Sequence, residues 1–379
     1  METTGGIGMH DEHAPRDAGG GGSGADYQPT GDEKKAIKLV DKVFEKNKRH
    51  RSQYDQNWLD YYHMFRGKQW KEQRPSYRHS EVINFVFRTI QTLIPIQLDS
   101  RPRFEFLPEE PADFELAGIL NEAAEGDWNR NNWQEQLLEV VLDAHLYGCG
   151  LSEVCTKQDG IGTLGPTKIV YESSDPFYAF TDPDARDVNK DCGSFVYAKP
   201  TEVAKIKKRY PDKADFIKPD LMDLLKGSKT DFSTFRFRSP VDQKVVLEGS
   251  QSMDLLDKEK ALLITCWLSA EFCEDDYDEK ENREVGEDGA ESVSYTQVAK
   301  YPNGRKIVTC NGVLLEDGPN PYDDGKIPFQ RYANYVLSRE FWGISEVEQL
   351  AGPQRMFNKI FSFALDVLTL MGNPIWVVD

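Results

Sequence analysis

Three glycines near the middle of the chain have a spacing that could bind a nucleotide. Gly160, Gly162 and Gly165 follow the pattern G-x-G-x-x-G. In a dinucleotide site these glycines come after a strand and open a helix, whose N-terminus holds the pyrophosphate. Here Pro166 and the β-forming stretch 167–171 follow instead, which favours a glycine-rich hairpin turn. No P-loop sequence occurs elsewhere, so we predict no nucleotide cofactor.

Three closely spaced aspartates have side chains of the type that binds calcium. Asp182, Asp184 and Asp187 lack the glycine and the distal glutamate that a helix–loop–helix calcium site requires. Aspartate and proline both favour turns, and Pro183 lies between the first two aspartates. We therefore predict a turn here and no metal site.

Histidine and cysteine, the residues that most often bind transition metals, are scattered along the chain. His10 and His13 lie in the N-terminal tail, and no histidine pairs with a cysteine, aspartate or glutamate at ligand spacing. No Ser/His/Asp order indicates nucleophilic catalysis. The six cysteines form no C-x-x-C pair and are expected to be reduced thiols. We predict no catalytic residue and no metal. Dispersed carboxylates could still converge in the folded chain, which keeps a metal-dependent nuclease as an alternative.

The net charge of −18 is concentrated in two segments of the chain. Residues 1–33 carry a net charge of −6 and residues 274–291 a net charge of −8, so the rest is near −4. A body this close to neutral could pass DNA without gripping it, because tight phosphate binding requires a dominant basic patch. The basic stretches 34–51 and 205–209 are interspersed with apolar residues and are predicted to be solvated helix faces.

The N-terminal half of the chain is predicted to be helical after a polar tail. Residues 1–33 contain few large apolar side chains, so they cannot offset the entropy of ordering and should form a disordered tail. Three helical regions follow. They are a helix from Asp32 to about Phe65 with a break or kink around Asn47, a helix over about 80–98 whose end is kinked by Pro95, and a region over 111–147 broken near 129–132.

Gly148 and Gly150 mark a change from helices to short strands. Thr201 is expected to cap a short basic helix that ends near Tyr210, and the acidic segment 274–291 to be a solvated hairpin insertion. The predicted strands are 151–157, 167–172, 177–181, 195–198, 261–272, 293–301, 305–310, 313–315 and 374–378. Helices, then strands, then a closing helix favour an α+β fold over alternating βαβ units.

The closing helix, from Ser345 to Met371, has an unusually wide apolar face. Ser345 and Glu348 have the spacing of a capping box at its start, and Pro353 is predicted to kink or restart it. Two apolar stripes then repeat at helical spacing, namely Phe357, Phe361, Ala364, Leu368 and Met371, and beside them Ile360, Phe363, Val367 and Leu370. Periodicity alone fits equally well a helix buried within its own domain and a helix packed between subunits.

Several stretches of the chain resemble the portal protein, or head–tail connector, of tailed bacteriophages. The most specific stretch is Gly-Ile-Ser-Glu-Val-Glu-Gln-Leu at 343–350, followed by Gln-Arg-Met-Phe-Asn-Lys at 354–359 and by Asn373-Pro374. Earlier similarities are the helix-to-extended junction at 94–106, the Gly-Cys-Gly ending at 143–150 and the Asp-Pro-rich segment 175–185. The resemblance covers about residues 35–379.

This resemblance implies a structural subunit rather than an enzyme. Portal subunits form a ring, usually of twelve copies, at one capsid vertex of the virion, and the ring is assembled in the host cytoplasm. Double-stranded DNA passes through it without sequence reading, and no membrane is involved. Its expected partners are other copies of itself, the packaging ATPase (terminase), capsid and scaffolding proteins, and later the head-completion and tail proteins.

By the same resemblance, residues 34–340 would be an α+β wing, 341–372 a stem helix and 373–379 the start of the clip. Arg355 and Lys359 would be the nearest candidates for facing DNA in the channel. The inter-subunit stem packing would involve Phe357, Phe361, Ala364, Leu368 and Met371.

One departure from the family pattern shapes the expected behaviour of the chain. Portals continue beyond the clip into a second stem helix, a tunnel loop and a crown, which have no counterpart in these 379 residues. We therefore expect a truncated or partial portal that does not form an intact ring by itself. Another virion ring or adaptor protein with a similar helix plan stays as the structural alternative.

Overall fold

The computed structural model of the chain describes residues 27–70, 74–75, 77–99, 101–102, 105–158, 167–219, 260–273, 277–285 and 291–372. These residues form a mixed helix and sheet structure, in agreement with the predicted α+β class. The predicted final strand 374–378, the glycine pattern 160–165 and the tail up to residue 26 lie outside the described residues. The α-helices are α1 (Gly31–Phe65), α2 (Phe85–Leu98), α3 (Phe114–Arg130), α4 (Trp133–Tyr147), α5 (Val203–Arg209) and α6 (Glu346–Met371).

Helix α1 is one continuous helix of 35 residues, so the break predicted around Asn47 was wrong. Its start is a complete capping box between Thr30 and Glu33, which satisfies free backbone N–H groups. Asn47, the polar residue that suggested a break, is fully buried against neighbouring strands. The Asn47 side chain donates hydrogen bonds to the backbone carbonyls of Phe180 and Ser194 at 3.4 and 3.3 Å, and these bonds fasten α1 to the neighbouring strands.

Residues 27–33, which the sequence assigned to a disordered tail, are packed against the body. The Tyr27 ring lies 5.4 Å from the ring of Phe216, and its hydroxyl accepts a hydrogen bond from the backbone N–H of Leu314. Lys213 forms an ion pair with Glu33 at 3.1 Å. The predicted end of the tail at residue 33 was wrong, because Tyr27 alone supplies an apolar contact with the body that the polar composition of residues 1–33 does not indicate.

The strands form three antiparallel sheets within the described residues. The strands are β1 (Cys149–Gln158), β2 (Thr167–Ser174), β3 (Ala179–Thr181), β4 (Ser194–Glu202), β5 (Lys260–Leu268), β6 (Tyr277–Val285), β7 (Glu291–Ala299), β8 (Arg305–Cys310), β9 (Val313–Pro319) and β10 (Phe329–Ala333). A five-stranded sheet has the order β3-β4-β5-β8-β9, a three-stranded sheet has the order β10-β1-β2, and β6 pairs with β7 alone.

Residues 277–285 of the acidic segment, which was predicted to be a solvated hairpin insertion, form strand β6 and pair with β7 in a hairpin. Two other details of the β region differ from the sequence prediction. Thr201 belongs to β4, and the residue that precedes α5 is Glu202. Strand β10 was not predicted, because it has only five residues and only the first of them is buried, so it shows no clear apolar pattern.

The largest hydrophobic cluster joins α1, α2, α4 and α6 to strands of the two larger sheets. Aromatic rings dominate its centre. Trp58 of α1 packs edge-on against Phe177 and Trp342, with ring centroids 5.3 and 4.8 Å apart. Aromatic pairs of this geometry add about 0.5–1.5 kcal/mol each beyond the area that they bury. The cluster therefore fixes the N-terminal end of α6 against α1.

The end of α4 and the chain before α6 approach each other backbone to backbone. Gly148 has φ +88°, a conformation that side chains disfavour, and an added Cβ would lie 2.0 Å from the carbonyl oxygen of Gly343. The carbonyl of Gly148 also accepts a hydrogen bond from the N–H of Asn334 at 3.0 Å. Gly148 therefore has two roles: it ends α4, and its lack of a side chain allows the chain before α6 to lie close to the end of α4.

Gly148→Ala is expected to lower the free energy of unfolding by about 3 kcal/mol or more, because left-handed strain of about 1–2 kcal/mol adds to the displacement of the Gly343 backbone. Gly312→Ala is the matched control, since Gly312 also has positive φ (+71°) but nothing within 4 Å of its added Cβ. That control should show the conformational strain alone. Urea unfolding of both variants measures the difference, and equal losses would contradict the close approach.

Candidate assembly surface

Helix α6 begins at a junction that is hydrogen-bonded to α1. The buried Ser345 side chain accepts a hydrogen bond from the backbone N–H of Glu348 at 2.9 Å, which confirms the serine half of the predicted capping box. The Glu348 carboxylate accepts from the Tyr61 hydroxyl. Burial, and then this carboxylate, raises the pKa of Tyr61 to about 12. The helix continues to Met371 through Pro353, so the restart considered there does not occur.

The side of α6 that faces the body is polar beyond its first turns. Gln354, Asn358 and Ser362 are all at most 4% exposed. The Gln354 amide donates to the carbonyl of Ile83 at 2.8 Å and to the side-chain oxygen of Asn358 at 3.0 Å. The Asn358 amide donates in turn to the side chain of Gln69. Buried polar groups of this kind are stable only when paired, so these bonds hold α6 in one register.

The same polar contact continues toward the C-terminal end of α6. Asp366 accepts a hydrogen bond from the backbone N–H of His79 at 2.8 Å and lies 3.9 Å from the Arg74 guanidinium. The His79 ring is 3.0 Å from the Thr369 hydroxyl. The segment between α1 and α2 therefore holds the last turns of α6 through polar groups.

The opposite side of α6 is apolar and exposed among the described residues. Four of its side chains are more than 60% exposed, and the other two are 57% and 36% exposed. We call this set the outward face, and it consists of Met356, Ile360, Phe363, Val367, Leu368 and Met371.

This arrangement reverses the usual amphipathic pattern. A helix on the surface of a monomer normally directs its apolar side chains inward and its polar ones outward. Contiguous exposed apolar patches usually mark sites of protein–protein contact, because each Å² removed from water contributes about 25 cal/mol. The outward face can therefore bind another apolar surface, whereas Gln354 and Asn358 on the opposite side are already hydrogen-bonded within the chain.

The residues that were predicted for stem packing fall into two groups. Phe357 and Phe361 lie at the edge of the outward face, where their rings stack 6.0 Å apart and Phe357 packs against Phe85 of α2. Ala364, Leu368 and Met371 are exposed on the helix. The side chain of Leu370 lies outside the described residues.

The two basic residues that were proposed to face DNA have different surroundings. Lys359 is exposed, whereas Arg355 is half-buried and lies 4.0 Å from the Asp60 carboxylate of α1. Both lie between the polar and apolar sides of the helix. The structure brings neither of them together with a further basic cluster on α6, whose residues 349–365 contain no other charge.

The sequence analysis did not identify a buried arginine that joins α1 to the chain around Pro176 and Ala179. Arg51 was placed on a solvated basic face, but it is 1% exposed. Its guanidinium donates to the Asp55 carboxylate at 2.7 Å and to the carbonyls of Pro176 and Ala179 at 2.6 and 3.0 Å. It also lies 4.8 Å from the Trp58 ring. The spacing of Arg51 and Asp55, four residues apart and beside Trp58, was the available signal.

The residues that suggested metal chemistry have structural roles in the described chain. Asp182 accepts hydrogen bonds from the backbone N–H of Asp184 and from Lys46, which confirms the predicted turn. A carboxyl group that the sequence did not single out, Asp143, lies near Asp175. Burial is the larger cause and the Asp175 carboxylate the second cause of a pKa of Asp143 well above its usual range. Within the ranges described, no group of three or more His, Cys, Asp or Glu side chains is arranged to hold a metal ion.

An α+β chain that exposes one apolar side of its closing helix has the features of an assembly subunit. Comparison with protein-family models matches residues 41–379 to the phage P22-like portal protein family. The match covers most of the chain, so the chain belongs to this family of bacteriophage portal proteins, which are structural components of the virion. Comparison with individual curated proteins gives no match. No helix in the described part is both long and apolar enough to cross a membrane.

Proposed function

We propose that this chain is the portal subunit that forms a ring, usually of twelve copies in the family, at one capsid vertex. The observation that carries the proposal is the outward face of α6, whose apolar side chains are exposed while the opposite side is hydrogen-bonded to the body. A ring gives each such face a neighbour. This favours a helix packed between subunits over a helix buried within its own domain.

In this proposal the ring is the channel for DNA packaging and ejection. Residues 34–340 form the wing, α6 is the stem helix within 341–372, and residues 373–379 begin the clip. The packaging ATPase (terminase) and the head-completion and tail proteins dock on the ring at successive stages, and capsid and scaffolding proteins surround it. Assembly takes place in the host cytoplasm.

Contact with DNA is proposed to be non-specific and weak. The body of the chain is close to neutral outside its two acidic segments. A near-neutral channel wall would bind the DNA phosphates weakly and let the DNA slide through. Arg355 and Lys359 are the candidates on α6 for facing the channel, and the exposed Lys359 is the better placed of the two.

Disruption of the reading frame in the phage that encodes it tests the proposal. We expect particles that contain capsid protein but no packaged DNA, with normal packaging restored by a copy of the gene in trans. Gold-labelled antibody against the chain should mark a single vertex of each wild-type particle. DNA-filled particles without the chain, or label distributed over all vertices, would contradict a portal role.

A further inference from the structure

A second exposed apolar surface lies on α3 and on the segment that precedes it. The Asn121 side chain fixes that segment on the helix, since it accepts from the backbone N–H of Phe106 at 2.8 Å and donates to the Phe106 carbonyl at 3.2 Å. Six large apolar side chains here are each at least 40% exposed, namely Phe106, Leu107, Phe114, Leu116, Ile119 and Leu120. We call this set the acidic surface, for the charges described next.

The charges within residues 105–127 all have one sign, and two arginines just outside this range, Arg101 and Arg130, pair with Glu125 and Asp127 at the end of α3. Residues 105–127 contain eight aspartates and glutamates and no lysine or arginine. Glu115 and Glu122 are exposed and lie one helical turn on either side of Ile119. A partner for this surface must therefore be apolar at its centre and basic at its edge, because like charges across a contact cost several kcal/mol.

The surface formed by α2 and the outward face of α6 has the opposite charge. Phe85 and Phe357 join the two helices, with ring centroids 5.0 Å apart and a nearly perpendicular geometry. Residues 82–98 and 349–365 carry three charges, Arg88, Arg355 and Lys359, and no acid. Arg355 already lies beside the Asp60 carboxylate of α1, so the exposed charges of this surface are Arg88 and Lys359. Arg88 is exposed one turn after Phe85. We call this the basic surface.

We propose that the acidic surface of one copy of this chain binds the basic surface of the next copy. This inference rests on the proposed ring and names the two patches that would build it. A ring of more than two copies needs two different complementary patches on each subunit, repeated head to tail. Pairing either surface with itself would bring charges of one sign together, so the charges favour the head-to-tail contact.

The proposal gives Lys359 a neighbour other than DNA. In the head-to-tail contact Lys359 faces the glutamates of the adjacent copy, whereas in the channel it would face phosphates. The two roles predict different consequences of charge reversal. A lysine in the subunit contact can be rescued by a reciprocal change on α3, and a lysine that only contacts DNA cannot.

Charge reversal tests the pairing, with association measured by sedimentation velocity of the full chain. We expect Arg88→Glu with Lys359→Glu to weaken self-association by about 100-fold, and Glu115→Lys with Glu122→Lys to do the same. An equimolar mixture of the two double variants should associate like the wild type. When copies of the two variants alternate in an oligomer, each contact again pairs a positive with a negative set of side chains. The variant with all four changes should also associate.

Urea unfolding of each double variant serves as the folding control, since all four side chains are exposed and should leave stability nearly unchanged. Association of the double variants at wild-type strength would overturn the head-to-tail pairing, and so would a mixture that stays monomeric. If wild-type oligomers form but ignore these changes, the pairing fails while the portal role stands. DNA packaging that continues after disruption of the gene would contradict the portal role itself.

Discussion

Replacing Phe363 and Leu368 by aspartate is expected to abolish self-association of the chain without loss of folding. These side chains are 67% and 69% exposed, so the free energy of unfolding should stay within about 0.5 kcal/mol of wild type. In the assembly the same carboxylates would be buried opposite an apolar partner, where an unpaired charge costs several kcal/mol. Sedimentation velocity measures the association, and urea unfolding measures the stability.

Ile169→Asp is the matched control for this experiment. Ile169 of β2 is 51% exposed and lies far from α6 in the chain, so its replacement should affect neither association nor stability. An aspartate variant of Phe363 and Leu368 that unfolds would instead indicate that α6 is buried within its own domain. That result would restore the alternative that periodicity alone left open.

Replacing Arg51 by methionine is expected to lower the free energy of unfolding by about 3–5 kcal/mol. The change leaves the buried Asp55 carboxylate without its partner, and removal of one member of a buried ion pair has this cost. It also removes the donor for the carbonyls of Pro176 and Ala179. The double variant Arg51→Met with Asp55→Leu should recover part of the loss, because it leaves no buried charge.

The loss in Arg51→Met should depend on pH in a defined direction. Burial raises the pKa of Asp55, and Arg51 opposes that rise, so removing Arg51 raises the pKa further. A carboxyl whose pKa is higher in the folded chain destabilises the fold as pH rises above its unfolded value of about 4. The deficit should therefore be larger at pH 7 than at pH 4. Equal deficits at the two pH values would contradict an electrostatic contact between Arg51 and the Asp55 carboxyl group.

Local signals in the sequence predicted the helices well where no distant partner was involved. The break between α3 and α4 follows from the polar residues around Asn132, which has the left-handed φ of 53° that Asn tolerates. Gly148 likewise marked the end of α4, and Ser345 the start of α6. Each of these residues acts on its own backbone or that of its neighbours, which is why the sequence alone shows them.

Residues that act through distant partners could not be predicted in the same way. Asn47 suggested a break and Arg51 a solvated face, but both bind backbone carbonyls more than a hundred residues away. The polar side of α6 was missed for the same reason, since Asn358 is satisfied by Gln69. The apolar stripes of α6 were visible in the sequence, but which side of the helix faces the body depends on these long-range hydrogen bonds.

Cryo-electron microscopy of the portal vertex in the phage particle tests the central claim most directly. We expect a ring in which Phe363 and Leu368 of α6 are covered by a neighbouring copy of the chain, while Asn358 keeps its hydrogen bond to Gln69 within one copy. A vertex in which the outward face of α6 is covered only by further residues of its own chain, or lies open to solvent, would contradict it.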